Sequence, residues 1–105
     1  MAEVTNNPAK KRFELTADGH TAILEYDLID GGIVIAHTEV PPPIEGRGHA
    51  SALFRAALDS ARAEGRRVIP VCTAFAGYVK RHPETHALID PSVRRSLGLP
   101  PEAAG

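Results

Sequence analysis

The chain has 105 residues, 43% of them hydrophobic and 24% charged, which suits one soluble domain around one modest core. A net charge of -1, no Trp and few aromatic residues exclude a basic, base-stacking surface for nucleic acid. A single cysteine, Cys72, excludes an internal disulfide, and neither a bilayer-length apolar run of roughly 20 residues nor a signal peptide is visible, so a cytoplasmic protein without membrane contact is expected.

Residues 1–11, with Asn6, Asn7, Pro8 and two lysines, are expected to form a flexible tail. From Arg12 to Ala17 the chain alternates, with Phe13, Leu15 and Ala17 on one face, which predicts a half-buried strand. Asp18-Gly19 tolerates positive φ and predicts a hairpin into a second strand, His20 to Ile29, which places Ala22, Leu24, Tyr26 and Leu28 on one face. Asp30-Gly31-Gly32 turns the chain again into Ile33–Val40. The consecutive apolar residues at the start of this third strand predict a central position, covered on both faces. Pro41-Pro42-Pro43 then ends it, since prolines cannot donate to a ladder.

The clearest helix follows. Ala50, Leu53, Phe54, Ala57, Leu58 and Ala61 form one buried stripe, and Gly65 stands where a left-handed cap is expected. Val68–Cys72 reads as a short strand in which Pro70 implies an edge or a break in pairing. Strand, helix and strand make one right-handed crossover with parallel strands. Thr73 is placed to cap a second helix, Ala74 to about Arg81, that buries Phe75, Tyr78 and Val79. His82-Pro83 ends it, short helices follow over 84–89 and 91–97, and residues 98–105 are expected to be a second tail. The fold class is therefore α/β (α+β): antiparallel N-terminal strands, one β-α-β crossover and C-terminal helices.

Chemistry concentrates where the third strand meets the main helix. Gly46 and Gly48 let the backbone turn sharply, without Cβ obstruction to a ligand. A helix N-terminus leaves amide donors unsatisfied and carries partial positive charge, which together suit a phosphate. Arg47 adds a mobile guanidinium with bidentate geometry for phosphate oxygens. Taken alone, a Gly-x-Gly more often makes no more than a tight strand-to-helix turn. No Gly-Lys-Ser/Thr follows, which excludes a Walker loop, and Ser51 in the third glycine position argues against a dinucleotide fingerprint.

The wider pattern carries more information. Glu45-Gly46-Arg47-Gly48-His49-Ala50 resembles the Gln/Arg-x-x-Gly-x-Gly/Ala signature of the GNAT superfamily, with Glu45 where Gln or Arg is usual. It is preceded by His37-Thr38-Glu39-Val40 and a proline stretch. Ala61-Arg62 to Gly65, Val68 to Cys72, and Tyr78 ahead of His82-Pro83 follow it. Over about residues 12–89 the chain resembles the small stand-alone GNAT-like N-acetyltransferase-domain family. The resemblance implies a minimal GNAT-like domain over 12–97, binding acetyl-CoA (coenzyme A) between splayed parallel strands and transferring acetyl to an amine acceptor of unknown identity. Members this short lack the N-terminal helices that build many acceptor pockets, so a non-catalytic CoA-binding or protein-interaction module is the alternative.

The resemblance maps cofactor contacts onto Val40, Glu45, Gly46, Arg47, Gly48, His49, Ala50, Ser51, Cys72 and Tyr78, with Lys80 and Arg81 reaching a nucleotide phosphate or remaining solvated charges. Cys72 ends a strand before a helix N-terminus, a location that favours thiolate, so it either attacks a thioester, lines the acyl channel or packs as a small hydrophobe. His37 is a candidate base or water relay. Glu39 shares its strand parity, and two polar groups against an apolar core would be costly, which predicts a functional or solvent-lined face. Tyr78 is a candidate general acid for the departing thiolate, or a core residue with its hydroxyl at the rim. His82 and His86 lack an evident third ligand, so no metal site is expected.

Overall fold

The computed structural model describes residues 3–100. Five strands form one sheet in the order β1-β2-β3-β4-β5: β1 Val4–Asn7, β2 Arg12–Ala17, β3 His20–Ile29, β4 Gly32–Glu39 and β5 Arg67–Pro70. The first four are antiparallel neighbours, and β5 runs parallel to β4. Between those two lies α1 (His49–Glu64), the helix of the β-α-β crossover; α2 (Thr73–Arg81) and α3 (Pro91–Arg94) follow.

Alternation decides which way the sheet faces. Phe13 pairs with Leu24, Leu15 with Ala22 and Tyr26 with Ile35, and all six are buried. Cross-strand partners share a face, so these residues make one apolar surface. Onto it α1 lowers Leu53, Phe54, Ala57, Leu58 and Ala61. Phe54 then meets Phe75 and Tyr78 of α2 edge-on, with ring centroids 5.3 and 5.4 Å apart, so both helices close one core. The opposite face carries Arg12, Glu14, Ile23, Glu25, His37 and Glu39, none of them buried. The third predicted strand, β4, accordingly lies between β3 and β5 but is fully covered on one face only, with Val34 and Ala36 half-buried.

The Asp18-Gly19 hairpin forms as its residues require, with φ of 50° and 76°. Gly65 ends α1 at φ 67°, and the Arg66 N–H reaches back to the Ala61 carbonyl at 2.9 Å. Three local readings are corrected. Residues 4–7 of the expected tail pair in register with β2, and the Tyr26 hydroxyl donates to Asn6 Oδ1 at 2.7 Å. Cys72 rather than Thr73 stands at the N-cap of α2, without a side-chain cap bond. Leu99 of the expected C-terminal tail is buried, its N–H on the Arg94 carbonyl; residues 101–105 of that tail lie outside the described residues. Leu28, placed on the inward face by alternation, is 49% exposed near the end of its strand. The segment 83–88 winds as a 3-10 helix, and α3 is capped by Asp90, whose Oδ1 accepts from the Ser92 N–H at 2.9 Å.

Candidate active site

After β4 the proline stretch coils into one 3-10 turn, Pro42–Ile44, which fixes the loop by burying Ile44 completely. Glu45 donates its N–H to the Pro42 carbonyl at 3.2 Å. Gly46 and Gly48 follow at φ 76° and 80°, a region that L side chains enter only with strain. Gly48 caps α1 with no side chain, and its carbonyl accepts the Ala52 N–H at 3.1 Å. Among the described residues, nothing accepts from the N–H groups of Gly46 through Ser51. They border a groove of about 320 Å³ lined by Val40, Glu45, Gly46, Gly48, His49 and Ser51, among others. His49, which lines it, has its Nε2 buried without a hydrogen-bond partner among the described residues. Free amides and helix polarity fit an anionic diphosphate group.

Arg47 is not a free charge beside this groove. Its Nη1 hydrogen-bonds the Asp18 carboxylate and its Nη2 donates to the Pro43 carbonyl at 3.3 Å. The guanidinium read from sequence as a mobile phosphate ligand thus ties the loop to the β2–β3 hairpin. The Arg47 hydrogen bond, with its charge, holds the Asp18 carboxyl below its ordinary value. Lys80 and Arg81 are exposed on the last turn of α2 and do not line the groove.

Behind the loop, the parallel ladder stops at Ile35 and Pro70. The N–H groups of both Val71 and Cys72 converge on the single Ile35 carbonyl, at 3.0 and 2.9 Å, and β4 continues paired with β3 alone. Pro70 brings no N–H of its own, so β5 turns away at the point its sequence implied. The fork that opens is bridged by Cys72, whose Sγ donates to Thr38 Oγ1 at 3.5 Å.

A bulge in β4 decides what the fork presents. Glu25 opposes His37 and Tyr26 opposes Ile35, leaving Ala36 without a partner. The extra residue reverses the alternation. His37 and Glu39, which regular pairing would send into the core with Ile33 and Ile35, instead share the open face with Glu25 and Ile23. There His37 Nε2 lies 3.2 Å from Glu39 Oε1, with both side chains more than half exposed. Thr38 takes the inward direction. On the open face, against the end of β4, lies a second groove of about 670 Å³ whose lining includes Arg12, Ile23, Glu39, Val40, Pro41 and Glu45. Val40 and Glu45 belong to both grooves.

Tyr78 is buried, its ring between Phe54 and a His82 imidazole stacked at 3.8 Å. His82 Nδ1 donates to the Tyr78 carbonyl at 2.7 Å and His86 Nε2 to the Val79 carbonyl at 2.8 Å. Both imidazoles therefore close the end of α2, supplying donors to its last-turn carbonyls, of which that of Val79 also accepts the His82 N–H at 3.1 Å. Sequence reasoning passed over Asp18, Thr38, Arg12 and Ile23. Each reaches the site through cross-strand or loop contacts that lie well outside its own stretch of sequence, as with Asp18 and Arg47, 29 apart.

A family model described as GCN5-related N-acetyl-transferase matches residues 12–88. A Gallus gallus protein named NATD1 is 33% identical over 84 residues, covering 77% of this chain and 76% of its own length. Its Homo sapiens namesake is 34% identical over 83 residues, covering 76% and 74%. The NMR solution structure of a GCN5-like protein from Staphylococcus aureus superposes with a TM-score of 0.68 at 21% identity, over 84% of this chain and 87% of that one, and so shares the fold. Among the described residues no helix is long and apolar enough to cross a membrane.

Proposed function

Because the chain belongs to the GCN5-related N-acetyl-transferase family, we propose that it binds acetyl-CoA and transfers the acetyl group to an amine. The observation that carries this reading is the row of unpaired amides from Gly46 to Ser51 bordering a groove at the N-terminus of α1. Those amides hold the diphosphate. Val40 leads from that groove toward the β4–β5 fork. Acetyl-CoA brings an acyl group already activated as a thioester, so the protein has only to place an amine and manage its protons.

Glu39, oriented by His37 at 3.2 Å, takes a proton from the acceptor ammonium on the open face and makes its nitrogen nucleophilic. The nitrogen gains the acetyl carbon as the carbon–sulfur bond breaks, a second proton leaves the nitrogen, and the released thiolate is protonated. Cys72 lies at the fork as a lining residue, its Sγ engaged with Thr38, and direct transfer does not pass through it.

Incubation of the purified protein with acetyl-CoA and a panel of amines tests this, with free thiol as the readout. Thiol release with at least one acceptor is expected, and Cys72→Ala should retain it. Tight CoA binding without release from any acceptor would assign the chain to a non-catalytic CoA-binding module instead.

A further inference from the structure

Glu45 presents a physical contradiction. It is exposed at the mouth of the diphosphate groove, where a carboxylate repels the ligand that the neighbouring amides attract. It forms no ion pair with any described residue. Yet the same residue lines the larger open-face groove, where the other carboxylate is Glu39. Among the described residues lining that groove the cation is Arg12, and it is already paired: its Nε lies 2.6 Å from Glu14 Oε2. Ile23, Val40, Pro41 and Pro42 give the wall its apolar part, Thr21 and Thr38 complete it, and about 670 Å³ is room for a small organic molecule.

We propose that this groove is the acceptor site and that it selects an amine carrying a second cationic centre. One nitrogen is held at Glu39, the other at Glu45, and the alkyl chain between them lies on Ile23 and Val40. The assignment builds on the acetyltransferase reading for its purpose, but the binding event it describes does not need the cofactor. Two carboxylates lining one groove with apolar residues beside them complement a linear diamine. An amine whose far end is neutral leaves Glu45 without a partner, and one whose far end is anionic meets repulsion there.

The test uses the protein without CoA, titrated with 1,5-diaminopentane, 1-aminopentane and 1-pentanol, and follows the methyl resonances of Ile23 and Val40. Saturable shifts are expected with both amines, with the diamine binding about fivefold more tightly, the upper range for one additional exposed ion pair. Glu45→Gln should remove that margin and leave the monoamine unchanged. Calorimetry on the same variant should find CoA affinity undiminished, since removing a carboxylate beside a diphosphate relieves repulsion. Equal binding of diamine and monoamine, absence of methyl shifts, or loss of CoA binding in Glu45→Gln would each overturn the proposal. Failure of the parent protein to bind CoA would instead count against the acetyltransferase reading, and the amine titration would stand on its own result.

Discussion

The Arg47 guanidinium spends its donors on Asp18 and the Pro43 carbonyl, so the charge that might have met a phosphate braces the loop carrying the amides. A brace of this kind lowers the entropy that ligand binding must otherwise remove from a glycine-rich turn. Its signature is electrostatic. The Asp18 carboxyl, lowered from 3.8 by the Arg47 hydrogen bond, should titrate below that value by NMR, and Arg47→Met should return it upward. The sign follows from linkage. A depressed carboxylate contributes its full stability above its ordinary pKa and loses it as pH falls through the lowered one, so the brace should hold from neutrality down to about pH 4. An Asp18 midpoint at or above 3.8 in the parent protein would remove the brace from the account.

Elements differ in how plainly they announce themselves, and α1 is the plainest. Its period of 3.6 points Ala50, Leu53, Phe54, Ala57, Leu58 and Ala61 inward; the last five are buried, and Ala50, in the first turn, is half-buried. Leu53→Ala should cost about 2–5 kcal/mol in urea unfolding, the range for a fully buried leucine whose cavity only partly collapses. At the other extreme stands β1. Val-Thr-Asn-Asn is short, largely polar and buries none of its residues fully, and its place in the sheet comes from pairing with β2 and from the Asn6–Tyr26 hydrogen bond. Tyr26→Phe removes that bond and should destabilise the protein by about 0.5–1.5 kcal/mol, whereas an unchanged midpoint would mean the edge strand is held by its backbone ladder alone.

The whole molecule couples these parts, because the loop that offers the amides is clamped at one end by buried Ile44 and at the other by the buried stripe of α1. A ligand seated there binds only the folded state. CoA at a hundred times its dissociation constant should therefore add about 2.7 kcal/mol to the unfolding free energy and raise the melting temperature in a concentration-dependent way. Gly48→Ala forces a Cβ into a left-handed conformation at about 1–2 kcal/mol. It should lower the melting temperature and blunt the CoA-induced rise; a rise of parental size would exclude this turn as the diphosphate site.

Periodicity, punctuation and cap chemistry determined much of this protein from its residues alone. The alternation of β2 and β3, the stripe of α1, the turns at Asp18-Gly19 and Gly65, and the break at Pro70 are local, and local sterics dictated them. The glycine-bracketed helix start was legible for the same reason. The polarity of His37 and Glu39 already predicted a solvent-lined face for them; what only the tertiary structure decided is non-local: the bulge at Ala36 by which they reach it, the capture of Arg47 by Asp18, and the meeting of Cys72 with Thr38. Each joins segments far apart in the chain, so its energy comes from a partner that no window of sequence contains, and the fold had to bring the two together first.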